Sequence, residues 1–180
     1  MDNITPGHNI QSFVIGQRAA DHPMFKEFQK ITDRKFKWQD IQLRVNDAGL
    51  IDLISTRDGS FGEIATGQTF RHVIENGHNL LYDEFDQVFY LVDPGGLCIE
   101  KEYENLPITE LLNSKIQYLT VFDIGLNKQF NIDNDFEKIT RDNLADFELK
   151  NHESEQFLKN AIRQFKSTHD KQTRPWWKIW

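Results

Sequence analysis

Residues 35–103 alternate apolar and polar side chains in short runs, each closed by a turn signal, and this pattern restricts the chain to a strand-rich architecture. Phe36 and Trp38, then Ile41, Leu43 and Val45, alternate with polar residues, as on a half-buried strand. Asn46-Asp47-Ala48-Gly49 is a turn and residues 50–55 supply a second strand, which together predict a hairpin. Arg57-Asp58-Gly59-Ser60 closes it with a further turn. Phe70, Val73 and Ile74 fall at helical spacing, and Asn76-Gly77 offers a glycine C-terminal cap. Residues 80–82 and 87–92 predict strands around the acidic turn Asp83-Glu84-Phe85-Asp86. The strongest turn signal is Asp93-Pro94-Gly95-Gly96. It leads into residues 97–103, with Leu97, Ile99 and Lys101 on one face and Cys98 and Glu100 on the other.

The flanks read differently. Residues 1–10 are polar around a Pro6-Gly7 turn and predict a loosely held lead-in. A short strand follows at Phe13-Val14-Ile15. Asp21 is placed as an N-cap with Pro23 in the first turn, and Met24, Phe25, Phe28 and Ile31 share one helical face. Pro107 to Leu112 predicts a short helix start, and residues 116–124 a central strand. After Gly125 the pattern becomes helical, with Asn134 or Asp135 capping a helix that holds Phe136 and Ile139. The clearest helix spans residues 152–168, where Phe157, Leu158, Ala161, Ile162 and Phe165 form one apolar stripe. Strands in the middle and helices mainly at the N- and C-terminal ends predict an α+β fold with a central, largely antiparallel sheet. No internal repeat stands out. Residues 1–167 are expected as a single domain, and residues 168–180 as a polar linker and Trp-rich tail.

Composition narrows the class. The 180 residues include 14 Phe spread along the chain, so both halves are expected to be ordered. The single cysteine, Cys98, excludes an internal disulfide. The start is acidic and polar, unlike a signal peptide, and no apolar run approaches the length of a membrane span. A soluble cytoplasmic protein is the expectation, although a periplasmic protein stripped of its leader would read alike. A net charge of −7 disfavours nucleic acid and suits a basic partner.

No Gly-rich phosphate loop, GxSxG elbow or HExxH pair is present, so the familiar enzyme classes carrying those motifs are excluded. His72, His78 and Cys98 would need to share a pocket to act as metal ligands or as a thiolate–imidazole pair. Surface histidines and a strand cysteine are the simpler reading. Asp133, Asp135 and Glu137 alternate as in a calcium loop, but lack its turn glycine and its distant bidentate Glu. No catalytic residue, metal site or cofactor is therefore assigned.

Two segments stand out as binding surfaces. Tyr82, Asp83, Glu84, Phe85 and Asp86 combine carboxylates with aromatic anchors, the chemistry that accepts Arg and Lys from a protein partner. The simpler alternative is a hairpin turn whose acids are solvated and whose aromatics fold inward. The last five residues hold three of the four tryptophans, Trp176, Trp177 and Trp180. That tail packs on its own domain, docks into a partner or second copy, or rests at a membrane surface. The acidity of the chain weighs against the last.

Residues 85–112 also resemble the later part of SMI1/KNR4-like (SUKH) domains. The similarity lies in Gln87-Val88-Phe89-Tyr90-Leu91-Val92-Asp93, then Gly96-Leu97-Cys98-Ile99-Glu100, then Leu106-Pro107-Ile108-Thr109-Glu110-Leu111-Leu112. It implies a strand, a turn, a second strand, an acidic stretch and an amphipathic helix. In bacteria it implies an immunity protein that binds and neutralises a cognate toxin. The expectation is thus a non-enzymatic acidic binding protein with a protein partner, for instance a basic toxin domain. The alternatives are an assembly protein of phage or secretion-system type that docks through its Trp tail, and an enzyme of unrecognised class.

Overall fold

The computed structural model describes residues 4–123 and 136–172, with side chains described as far as Arg163. Trp176, Trp177 and Trp180 lie outside the described residues, as do Asp133, Asn134 and Asp135.

Nine strands form one sheet whose pairings are all antiparallel. In chain order they are β4 (Gln29–Lys30), β5 (Lys35–Trp38), β6 (Ile41–Val45), β7 (Ile51–Thr56), β10 (Leu80–Asp83), β11 (Val88–Leu91), β12 (Leu97–Glu100), β13 (Tyr118–Phe122) and β14 (Glu137–Ile139). Across the sheet they run β14-β10-β11-β12-β13-β7-β6-β5-β4. Three shorter strands, β1 (Ile4–Thr5), β2 (Asn9–Ile10) and β3 (Phe13–Val14), make a separate sheet, and β8 (Ser60–Phe61) pairs with β9 (Ile64–Ala65). Among the described residues the helices are α1 (Phe70–Glu75), α2 (Ile108–Asn113) and α3 (Leu144–Gln172).

The architecture is mixed α+β, as the pattern predicts, but the helices are distributed differently. Among the described residues only α3 is terminal; α1 and α2 interrupt the sheet strands. In place of an N-terminal helix there are two 3-10 turns, Ala19–Asp21 and Pro23–Glu27, and the second is capped by His22 instead of Asp21. Phe25 and Phe28 pack on Phe13 and Phe36 around these turns, while Met24 and Ile31 remain exposed. The lead-in is held from Ile4 onward: Ile4 and Ile10 are core residues, and Gly7 N–H donates to the Gly96 carbonyl at 2.9 Å. The single strand expected over Phe36 to Val45 is a hairpin, β5 turning into β6 through Gln39-Asp40 with Gln39 at φ +50°. Residues 137–139 are a sheet-edge strand, not a helix. The helix α3 begins eight residues before 152 and continues past 168, so the segment expected as linker is helical to Gln172.

Local chemistry explains the elements that were legible. The Thr69 hydroxyl accepts from His72 N–H at 3.2 Å and caps α1. At the other end Gly77, at φ +93°, lets His78 N–H reach the Val73 carbonyl and its own N–H reach that of Ile74. These two bonds form a Schellman cap. The α2 N-terminus is capped from outside, because Glu155 of α3 accepts from Ile108 N–H at 3.1 Å.

The structure also contains an internal duplication. In the first half β3 leads to Gly16-Gln17, then the 3-10 turns, then β4 to β7. In the second, β9 leads to Gly67-Gln68, then α1, then β10 to β13. The backbone bonds around the two Gly-Gln pairs correspond one for one. Gly16 N–H donates to Ile51 O and Ile51 N–H to Gln17 O, both at 2.8 Å. Likewise Gly67 N–H donates to Ile116 O and Ile116 N–H to Gln68 O, again at 2.8 Å. Isolated bridges follow at Arg18–Leu50 and Thr69–Lys115. The sheet order from β10 to β4 is therefore a palindrome about the antiparallel β13–β7 pair, with a pseudo-twofold axis between those strands.

One face of the sheet is covered. Leu43, Ile54, Leu80, Phe89, Leu97, Ile99, Leu119 and Val121 point into a core closed by α1, α2 and the start of α3. The alternate positions of the same strands point the other way, and that face carries the polar residues.

Candidate functional site

Period-two alternation puts every second side chain of β5, β6, β7, β11, β12 and β13 on the uncovered face. There they line a trough of about 640 Å³. The first half contributes Lys35, Gln42, Arg44, Leu53 and Ser55; the second contributes Val88, Tyr90, Cys98, Glu100, Tyr118, Thr120 and Phe122. At its centre, on the pseudo-twofold axis, Ser55 and Thr120 face each other across β7 and β13 with hydroxyl oxygens 2.8 Å apart. The Thr120 hydroxyl donates to the Glu100 carboxylate on β12. With its one proton so committed, the Ser55 hydroxyl donates to Thr120 and the three groups form a relay.

Glu100 is the most perturbed carboxyl of this face. Burial raises its pKa, opposed by the Thr120 hydrogen bond and by Lys35 and Arg44 and reinforced by Asp86. Beside it, burial pushes the Cys98 thiol well up, with Glu100 adding to the effect. Such a thiol is a poor nucleophile. Tyr90 is pushed up too, chiefly by burial and then by Cys98.

The rim is built from charged pairs. Arg57 donates to the Tyr118 hydroxyl through Nε at 2.7 Å and to Glu102 through Nη2 at 2.5 Å. Arg44 donates to Asp52 at 2.9 Å, and Lys101 to Glu104 at 2.6 Å. At one end the trough opens onto the β10–β11 hairpin. Asp86 and Tyr103 line both the trough and the adjoining depression, which also carries Asp83, Glu84 and Phe85. The two form one continuous surface.

The hairpin tip is set by its first acid. Asp83 Oδ1 accepts from Phe85 N–H at 3.0 Å and Asp86 N–H at 3.2 Å. This turn leaves the Phe85 ring 86% exposed, with Tyr103 62% exposed beside it. The loop bearing Tyr103 is clamped from below: Gln87, at φ +55°, donates to Leu106 O at 2.8 Å and accepts from Leu106 N–H at 3.2 Å.

The sequence-predicted residues divide accordingly. Asp83, Glu84, Phe85 and Asp86 come together on one surface, with Phe85 turned outward. Tyr82 does not join them: it is 5% exposed, its ring packed on Phe89 at 4.8 Å and edge-on to Phe147 at 5.8 Å. Burial and the neighbouring Glu84 and Asp83 raise its pKa to about 12. As the first hairpin strand pairs Tyr82 with Phe89, its side chain must face the core, and it supports the tip from beneath. His72, His78 and Cys98 do not share a pocket, since α1 lies on the covered face and Cys98 on the other. His72 is exposed against Asn76, while the buried Nε2 of His78 has no hydrogen-bond partner. Among the described residues no group of three His, Cys, Asp or Glu could hold a metal ion, and no helix is long and apolar enough to cross a membrane.

Sequence reasoning missed the trough because its parts are far apart in the chain. Ser55 and Thr120 are 65 positions apart. The available signal was the polar set of the alternation, Gln42, Arg44, Ser55, Glu100 and Thr120, each beside an apolar partner on its own strand.

No family model, no curated protein and no solved structure matches the chain.

Proposed function

We propose that this chain is a non-enzymatic binding protein of the immunity type, which neutralises a basic toxin domain by docking it on the hairpin tip and the adjoining trough. The observation that carries the proposal is Phe85, exposed at the tip with Asp83, Glu84 and Asp86 around it and Tyr103 alongside. An exposed aromatic ring within a ring of carboxylates is suited to an Arg- or Lys-rich partner: the ring supplies the apolar anchor and a cation–π face, the acids supply steering. The trough behind it supplies carboxylates and hydroxyls that can accept an inserted cationic side chain. The similarity of residues 85–112 to SUKH domains supports the same reading.

The test is capture from native cell lysate by wild type, by Phe85→Ala and by the triple variant Asp83→Ala, Glu84→Ala, Asp86→Ala, followed by titration calorimetry with the captured protein. A stoichiometric basic partner, weakened about 30-fold or more by Phe85→Ala, is the expected result for an interface anchor. The triple variant should chiefly slow association and flatten its salt dependence. A partner held equally by all three proteins removes this surface from the proposal.

A further inference from the structure

The helix α3 continues beyond the domain it packs on. Leu144 and Phe147 are buried in the core, Glu148 pairs with Arg71, and Glu155 caps α2. From Gln156 to Arg163 every residue is exposed. This stretch carries the apolar stripe read from the sequence as far as Ile162, and these side chains are exposed: Phe157 is 74% exposed, Leu158 59% and Ile162 52%. Helical geometry explains the continuity. Leu158 lies three turns along from Phe147 and Ile162 five turns along from Leu144, on the same side of the helix, so one face runs on past the edge of the body.

Charge separates this arm from the body. Residues 156–180 contain six Lys or Arg and one Asp, a net of +5, which leaves −12 for residues 1–155 within the chain total of −7. The acidity of the whole chain therefore says nothing against an anionic partner for the arm. Three of the last five residues are Trp, with Lys178 between them.

We propose that the exposed stretch of α3 from Gln156 to Arg163 is an in-plane anchor for an anionic lipid surface, Phe157, Leu158 and Ile162 entering the headgroup–acyl boundary and Lys159 and Arg163 meeting lipid phosphates. Uncovered Phe, Leu and Ile on a cationic helix, followed by Trp and Lys, match the composition of interfacial helices. The sign of the charge chooses the occupant. The −12 body keeps its distance from an anionic membrane while the +5 arm is drawn to it, and the hairpin surface is left free for a partner. An arm-to-arm dimer would have to bring two +5 charges together.

Co-sedimentation with phosphatidylserine-containing vesicles and with pure phosphatidylcholine vesicles tests this on the full chain. Wild type is expected to bind the anionic vesicles, with affinity falling as salt rises. The variant Phe157→Ser, Leu158→Ser, Ile162→Ser should bind at least ~30-fold more weakly, because three exposed apolar side chains no longer enter the lipid. Its thermal midpoint should match wild type, since these side chains are largely exposed; a variant ending at Glu155 serves as the second, independent loss of binding. Wild type that ignores both vesicle types overturns the proposal. So does a concentration-dependent dimer abolished by the serine variant in the absence of vesicle binding, which assigns the stripe to a second copy.

Discussion

Replacing Gly16 or Gly67 by alanine tests the internal duplication directly. Gly16 sits at φ +83° and Gly67 at φ +86°, and a Cβ at either would meet nothing within 4 Å. Sterics with the rest of the fold therefore contribute nothing, and the cost is that of the backbone conformation alone. A left-handed conformation costs an L-residue about 1–2 kcal/mol. The smaller conformational freedom of alanine in the unfolded chain returns about 0.4–1 kcal/mol. The net expectation is a loss of about 0–1.6 kcal/mol at each site, centred on about 0.8 kcal/mol. For a chain of this length the central value lowers the thermal midpoint by roughly 2–3 °C. Because the two glycines occupy equivalent positions and share no hydrogen-bond partner, the two losses should be equal within about 0.5 kcal/mol and should add in the double variant. Urea titration with tryptophan fluorescence measures all three. A neutral or stabilising change at one glycine, with the expected loss at the other, would refute the equivalence of the halves. Gly59→Ala provides the contrast: its Cβ would lie 2.8 Å from Thr56 Cγ2 and 3.2 Å from Ile4 Cδ1, so its cost is one of crowding.

Two further outcomes follow from the core and the trough. Phe89 is fully buried with Phe70 at 4.7 Å and Tyr82 at 4.8 Å, so Phe89→Ala should cost about 3–5 kcal/mol by urea titration, enough to loosen the hairpin that presents Phe85. Glu100 has its pKa raised by folding, so stability is greatest below the unfolded carboxyl pKa and falls as pH rises toward the folded value; beyond that it stays level. Glu100→Gln should remove that fall and stabilise the protein at neutral pH, read from thermal midpoints across the acid range; an unchanged pH profile would place the carboxyl in solvent.

Much of the sheet could be read from the chain, for reasons tied to particular residues. The β10–β11 hairpin and the turn before β12 follow from acidic and Pro-Gly signals between alternating runs, and β13 is a central strand because all five of its residues are buried. The β5–β6 turn lacks a turn residue, since Gln39 takes a positive φ without being Gly, Asn or Asp; its one local mark is the slip in alternation between Trp38 and Ile41. The aromatic spacing around Phe25 and Phe28 suits an α-helix, but packing against Phe13, Phe36 and Trp38 sets two 3-10 turns instead. The duplication escaped notice since the halves keep in common little beyond a Gly-Gln pair and a strand order, and strand order has no sequence signature. The hairpin acids of the candidate surface were visible as a cluster; the trough exists only once the palindrome brings Ser55 beside Thr120.

That palindrome has an electrical consequence. Two halves built on one plan would give a trough with matching ends, yet the ends have diverged in sign. Lys35 and Arg44, the latter paired with Asp52, stand on the side of the first half; Asp86, Glu100 and Glu102 with Lys101 stand on the side of the second, which is net acidic. A symmetric frame thus carries an antisymmetric charge, and the trough behaves as a dipole lying across the sheet. A cationic segment entering it meets attraction at one end and repulsion at the other, so the half-turn that would exchange the two ends of the sheet does not exchange two equivalent poses. On the proposed function a cationic guest would have one orientation, its most basic part arriving at Phe85, which stands at the acidic end.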